Sequence, residues 1–172
     1  YSVSSLLPFI IITTFLSLSI IPVALSKNKK AQEHDIELIS MTNLAKVASS
    51  SLAICLVSGL FLSVIYSLLP VFFKVLTGSS EQTAYLMFAT FIGGMLLQYP
   101  IGLLSDNFDR RKVIMCISLT LVFILMITLF IGYTNISYTS LIAIHFIIGG
   151  LGFTLYPIAL SMVYDNLRDV NA

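Results

Sequence analysis

The chain has 172 residues, of which 58% are hydrophobic and 10% charged, and its mean hydropathy is +0.99. About a quarter of the residues in a soluble domain are charged, so this composition excludes an ordinary soluble domain. The net charge of +1 gives no indication of a nucleic-acid partner, and we predict none.

The charged residues are clustered, and long apolar runs separate the clusters. A helix needs about 20 residues to cross a bilayer, and five runs reach that length: residues 2–26, 48–73, 84–104, 113–133 and 138–164. Backbone polar groups in hydrocarbon must be paired within their own segment, and the alternating pattern of barrel strands is not visible. We therefore predict an all-α, polytopic membrane protein with five transmembrane helices.

The basic residues predict the orientation, because loops rich in Lys and Arg stay in the cytoplasm. The second predicted loop holds Lys74. The other eight of the nine basic residues lie in the first loop, the third loop and the C-terminal tail: Lys27, Lys29, Lys30, Lys46, Arg110, Arg111, Lys112 and Arg168. We therefore place these two loops and the C terminus in the cytoplasm.

Residues 27–47 form the one long polar segment between predicted helices. Its basic start is followed by Glu33, Asp35 and Glu37, a pattern that fits either a solvated linker or a short amphipathic helix in the membrane interface. The chain starts at Tyr1 rather than Met and has an odd number of predicted helices. We therefore expect a piece of a larger protein, with its domain boundary in this segment.

The stretch GLLSDNFDRRK, residues 102–112, places five charged residues between two apolar helices. Gly102, Asp106, Arg110 and Arg111 resemble the loop signature of the major facilitator superfamily in both residue type and spacing. Two longer segments, LQYPIGLLSDNFDRR and GGLGFTLYPIAL, are similar to a bacterial branch of that family, the YcaD-like transporters.

The resemblance implies helices six to ten of a twelve-helix transporter in the bacterial cytoplasmic membrane. Residues 1–26 would be the last helix of the N-terminal half, residues 27–47 the central cytoplasmic linker, and residues 48–172 four helices of an incomplete C-terminal half. The implied function is movement of a small solute by alternating access, with protons as a candidate coupling ion. The implied partners are the lipid bilayer and the remaining helices of the full-length transporter. We expect neither enzyme activity nor a cofactor or metal.

Within the charged loop, Gly102 has no side chain and would let two helices approach closely. Asp106 lies at the C-terminal end of its helix, where the helix dipole disfavours a negative charge, so it needs a positive partner. Asp109 stands where the family usually has Gly, and it could pair with Arg110 or Lys112 and weaken such a contact. The resemblance implies a conformational latch made of Gly102, Asp106, Arg110 and Arg111.

The resemblance also implies that the second and fifth predicted helices line the central cavity. Helical spacing independently places two sets of residues on single faces: Gly59, Ser63, Tyr66 and Pro70 on the second helix, and His145, Gly149, Gly152 and Tyr156 on the fifth. We expect solute contact at Ser63, Tyr66, Gln98, His145 and Tyr156. We expect helix bending or close packing at Pro70, Gly149, Gly152 and Pro157.

His145 is the one conventional acid–base side chain well inside any of the five predicted spans. Ionisable groups at membrane depth are costly and therefore suggest function, and histidine changes charge near neutral pH. The sequence leaves two alternatives, a role in proton coupling or solute contact, and a neutral histidine that bridges helices. Tyr66, Tyr156 and Gln98 have the same second alternative, a hydrogen bond to a neighbouring helix.

Two other interpretations of the whole chain remain open. One is an inactive, truncated remnant of such a transporter. The other is an integral-membrane phosphotransferase, because Gly102, Asp106 and Asp109 resemble the end of a metal-binding motif that uses several carboxylates. The upstream parts of that motif are absent from the sequence.

The segments GGMLLQYPI and GGLGFTLYPI look alike but differ by one residue in the spacing from Gly-Gly to Tyr-Pro. One residue rotates a helix face by about 100°, so we interpret the likeness as chance. Cys55 and Cys116 both fall within predicted helices, and we expect them to pack as small apolar side chains.

Overall fold

The computed structural model describes residues 3–25 and 48–170. These form six α-helices and one short 3₁₀ turn, Tyr133–Asn135, and the described part of the chain contains no strand. The helices are α1 Val3–Leu25, α2 Ser49–Ser67, α3 Leu69–Thr77, α4 Ser80–Asn107, α5 Arg110–Ile131 and α6 Tyr138–Val170. The predicted all-α class is confirmed.

Contacts divide the chain into two compact units, and α1 belongs to the first of them. α1 is a 23-residue helix with an apolar stretch at Leu6–Pro22. The hydroxyls of Thr13 and Thr14 donate hydrogen bonds to carbonyls of the preceding turn, which keeps both hydroxyls paired within the helix. Residues 26–47 lie outside the described residues, so the predicted linker and domain boundary remain predictions.

The second unit contains four helical segments that are long and apolar enough to cross a membrane: Ser49–Thr77, Ser80–Asn107, Arg110–Ile131 and Tyr138–Leu167. The last of these is the most buried. Half of the residues in its most apolar stretch are buried inside the protein, against 11% of those in Ser49–Thr77. α6 packs against α4, α2 and α5, and its contact with α4 is the most extensive. α6 is therefore the central helix of this unit.

The predicted span 48–73 is interrupted in the structure at Leu68, which separates α2 from α3. Pro70 lies in the first turn of α3, where its missing N–H costs least because first-turn amides have no partner within the helix. α3 then continues to Thr77 and ends at Gly78, whose φ of 66° is easily adopted by glycine.

α4 and α5 begin before the predicted spans because capping residues, rather than hydropathy, set these starts. The hydroxyl of Ser79 accepts a hydrogen bond from the Gln82 N–H at the start of α4. The Asp109 carboxylate accepts one from the Arg111 N–H, 3.0 Å away, at the start of α5. Hydropathy detects the apolar interior of each helix and misses these polar first turns.

Two groups of buried side chains hold the second unit together. The larger joins one face of α5 to one face of α6, and consists of Val113, Ile114, Ile117, Leu121, Ile148, Leu155, Ile158, Ala159 and Met162. The smaller contains Phe73 of α3, Leu86 of α4 and Leu141 of α6. The larger group follows the three- and four-residue spacing that places side chains on one helix face, whereas the smaller takes one residue from each of three helices.

Candidate functional site

Arg110, the first residue of α5, lies between two carboxylates from two other helices. Its Nη2 is 3.1 Å from Oδ1 of Asp106, and its Nε is 2.8 Å from Oδ2 of Asp165. Asp106 belongs to the last turn of α4, and Asp165 lies near the end of α6. One guanidinium therefore connects the ends of three helices, and we call these three residues the ion-pair triad.

Within the triad, Arg110 is the positive partner that the Asp106 carboxylate needs. A carboxylate at a helix C terminus faces the negative end of that helix's dipole, and Arg110 offsets this repulsion. The Asp106 side chain is 63% exposed, so most of it remains accessible after pairing. Asp165, which the sequence analysis did not identify, completes the triad.

Two other residues of the loop differ from the expectation. A Cβ added at Gly102 would meet no described atom within 4 Å, so the described helices do not provide the close approach expected there. Asp109 forms no ion pair with a described residue. Its carboxylate instead caps α5, so it does not compete for Arg110.

The closest approach in the second unit lies between α4 and α6. A Cβ on Gly149 would lie 1.9 Å from the Thr90 carbonyl oxygen, and a Cβ on Gly93 would lie 1.9 Å from that of Phe146. Each glycine thus presses on the backbone of the other helix. Gly152 is close to a side chain instead, 2.3 Å from Cε1 of Phe61 on α2 by the same measure.

His145 is 1% exposed and does not face an open path within the described unit, so its solute contact stays a prediction. Its ring packs edge-to-face on Phe73, with centroids 4.6 Å apart, and lies 6.1 Å from the ring of Tyr133. Nδ1 is 2.9 Å from the Leu141 carbonyl oxygen; because a carbonyl can only accept, Nδ1 carries the hydrogen. Burial raises the pKa of the Tyr133 phenol in the neighbouring turn.

Three aromatic rings from three helices meet beside the predicted face of α2. The Tyr66 ring stacks on Phe91 of α4, with centroids 5.7 Å apart, and meets Phe153 of α6 edge-to-face at 5.9 Å. Phe91 and Phe153 also contact each other at 5.9 Å. Tyr66 is 56% exposed, so this aromatic cluster presents an open surface rather than a closed core.

The remaining predicted path residues also lie on open surfaces. Ser63 and Gln98 are exposed, and Tyr156 is 42% exposed. The Gln98 side chain makes no hydrogen bond to a described residue. The alternative in which its amide bridges to a neighbouring helix therefore has no support in this part of the chain. Pro157 lies inside α6 without interrupting it, unlike Pro70, which follows a break.

In the part of the chain that the structure describes, no group of three or more His, Cys, Asp or Glu side chains could hold a metal ion. Near the charged loop, Asp109 caps α5, and Asp106 and Asp165 pair with Arg110. Their arrangement does not supply the several converging carboxylates that a phosphotransferase metal site requires.

Comparison with known proteins gives one consistent result. Residues 51–171 match the sequence profile of the Major Facilitator Superfamily. The uncharacterized MFS-type transporter YcaD of Escherichia coli O17:K52:H18 is 31% identical over 143 residues, which cover 82% of this chain and 35% of that protein. Its counterpart in Escherichia coli O7:K1 is 30% identical over the same coverage. The matched region thus spans about a third of these curated relatives, and no solved structure matches.

Proposed function

This chain belongs to the major facilitator superfamily, and on that premise we propose that it is part of a secondary transporter that moves a small solute by alternating access. It is a multi-pass membrane protein, with several helices of membrane length. In the proposed arrangement α1 ends the N-terminal half, and α2 to α6 belong to the C-terminal half. The solute binds between the halves, near the middle of the bilayer.

The ion-pair triad carries this proposal. Exposed ion pairs contribute only about 0.2–1 kcal/mol each, so they can break and re-form as a transporter changes conformation. A contact drives switching only if it differs between the two states. We propose that Arg110 orients Asp106, and that the exposed part of the Asp106 carboxylate pairs with a group of the other half in one state.

The aromatic cluster of Tyr66, Phe91 and Phe153 is the proposed contact for the solute. It lies on the open side of α2, together with Ser63. His145 packs within the unit, so we assign it a structural role rather than proton transfer. The proposed orientation, with the 27–47 segment and the C terminus in the cytoplasm, rests on the distribution of basic residues.

The test uses the full-length transporter in proteoliposomes, after a thermal-shift screen has identified a stabilising solute. Asp106→Asn removes the charge and keeps the shape. We expect turnover to fall about tenfold, which corresponds to roughly 1.4 kcal/mol in the rate-limiting barrier, while solute affinity changes less than about twofold.

Asp109→Asn is the matched control, because it removes the same charge three residues further along. Asparagine caps helices about as well as aspartate, so we expect normal turnover. Equal slowing by both substitutions would show that the loop responds to net charge rather than to the triad. Normal turnover of Asp106→Asn would remove the latch from the proposal.

A further inference from the structure

A groove of about 260 Å³ lies where the C-terminal end of α4 meets the start of α5. α5 contributes residues at three- and four-residue spacing, so they share one face. All lining side chains except one lysine are apolar or carry a thiol: Leu104, Phe108, Lys112, Val113, Cys116 and Ile117.

The charge beside this groove is not balanced locally. Three consecutive basic residues occupy the first turn of α5, where the positive end of the helix dipole disfavours cations. Arg110 is offset by its two carboxylate partners. Arg111 and Lys112 are exposed and form no ion pair with a described residue. An anion at the Lys112 end of the groove would relieve this excess.

The apolar surface continues beyond the groove. Phe108, which follows the last residue of α4, is 63% exposed, and Leu104 of α4 is 49% exposed. Beyond Lys112 the α5 sequence is uncharged from Val113 to Ile131, so Lys112 lies where a membrane helix reaches the headgroup layer. The complementary molecule is therefore anionic at one end and apolar along the rest. A soluble anion would leave the apolar part uncovered, and an apolar helix would leave the lysine unpaired.

From this geometry we infer that the groove binds an anionic membrane phospholipid. Lys112 pairs with the lipid phosphate, and the first part of an acyl chain lies along Leu104, Cys116 and Ile117. Basic pockets between transmembrane helices bind anionic headgroups in this manner. The inference does not depend on transport, so it stands or fails separately from the proposed function.

Cys116 lines the groove and is exposed, which makes it a native reporter of occupancy. The experiment uses the full-length protein with Cys116 as its single cysteine, reconstituted in nanodiscs of phosphatidylcholine with or without phosphatidylglycerol. N-Ethylmaleimide is uncharged and reports access to the thiol. We expect phosphatidylglycerol to slow labelling about fivefold, the effect typical of one basic residue at an anionic surface, and Lys112→Gln to abolish the difference.

Met115→Cys in a Cys116→Ala background is the matched control. Position 115 is adjacent on α5 and 56% exposed but does not line the groove, so its labelling should not depend on phosphatidylglycerol. Arg111→Gln should keep most of the protection, and Lys112→Arg should keep all of it. These variants also exclude a general folding defect as the cause of a change.

Several results would overturn the inference. They are equal labelling of Cys116 in the two lipids, protection that survives Lys112→Gln, equal protection of a cysteine at position 115, and protection by soluble glycerol phosphate without anionic lipid. A Cys116 that is unreactive even in phosphatidylcholine would mean that another helix covers the groove. Native mass spectrometry provides an independent count, with fewer bound phosphatidylglycerol molecules expected for Lys112→Gln.

Discussion

Gly149 of α6 lies directly against the backbone of Thr90 on α4, so closely that a Cβ would stand 1.9 Å from the Thr90 carbonyl oxygen. Gly93 stands in the same relation to Phe146, so the contact is reciprocal. Small residues allow such backbone contact between membrane helices, where dispersion forces rather than the hydrophobic effect drive association. The α4–α6 pair is therefore the tightest contact in the described unit.

Gly149→Ala should destabilise the protein. The new methyl group would meet backbone, which cannot rotate away, so α4 and α6 must separate. Overpacking of this kind costs about 1–3 kcal/mol. Unfolding in detergent measures the change, and Gly59→Ala is the control, because its Cβ would meet nothing within 4 Å. If both substitutions have the same effect, the close contact does not determine stability.

Gly152→Ala should be milder than Gly149→Ala. Its new methyl group would meet the far end of the Phe61 ring on α2, and a side chain can change rotamer where backbone cannot. We expect a loss of about 1 kcal/mol. Phe61→Leu should restore stability in the Gly152→Ala background, because it shortens the obstructing side chain. A loss that persists in the double variant would place the obstruction elsewhere.

Ser51 and Asn166 connect the start of α2 to the end of α6. The Asn166 Nδ2 donates to the Ser51 hydroxyl oxygen over 2.9 Å, and Ser51 is fully buried. Hydrogen bonds between membrane helices contribute about 0.6 kcal/mol on average, with a maximum near 1.7. A double-mutant cycle with Ser51→Ala and Asn166→Ala should give a coupling energy in this range. Strict additivity would show that the bond makes no net contribution.

The helical fold could be predicted from the sequence because hydropathy alone identifies spans of membrane length. The packing of the helices could not. The glycine pairs of GGMLLQYPI and GGLGFTLYPI, two segments whose likeness we interpret as chance, meet at one crossing. α4 and α6 run in the same direction, since Gln82 meets Tyr138 early in both helices and Gly94 meets Phe153 further on. Backbone contact there requires only the glycines, so the spacing to Tyr-Pro carries no information about this contact.

Contacts between residues far apart in the chain could not be predicted from the sequence either. The sequence indicates that Asp106 needs a positive partner, and the structure supplies it with Arg110, four residues further along the chain. Asp165 is distant in sequence and belongs to no local pattern. The one sequence feature that pointed to Asp165 was its place on the same predicted side of the membrane as the basic loop. Similarly, helical spacing places His145 on one face of α6 but cannot show that Phe73 of α3 and Tyr133 of the turn after α5 pack against its ring.

His145→Ala should destabilise the protein, because it removes a buried ring between Phe73 and Tyr133. Large-to-small substitutions at buried sites cost about 2–5 kcal/mol. His145→Phe keeps the ring and loses the hydrogen bond to Leu141, so its cost should be about 1 kcal/mol. Phe130→Ala is the matched surface control, since Phe130 is 94% exposed. Unfolding measurements in detergent test the order of the three variants.

His145→Phe also tests the structural role in the full-length transporter. The enclosed ring should not exchange protons during turnover, so the transport rate should keep its pH profile after substitution. A profile that flattens in the His145→Phe variant, with stability otherwise retained, would return proton coupling to this residue.

Arg110→Lys separates the geometry of the ion-pair triad from its charge. The guanidinium uses two different nitrogens, Nη2 for Asp106 and Nε for Asp165. An ammonium is a single point charge on a flexible stem and cannot hold both carboxylates in the same fixed arrangement. We therefore expect Arg110→Lys to slow transport by the full-length protein nearly as much as Asp106→Asn, and Asp165→Asn to slow it less. Because Lys keeps the net charge of the loop, membrane orientation should not change, and labelling of loop cysteines from either side checks this. Normal transport by Arg110→Lys would mean that a positive charge suffices and that the link to Asp165 plays no part in switching.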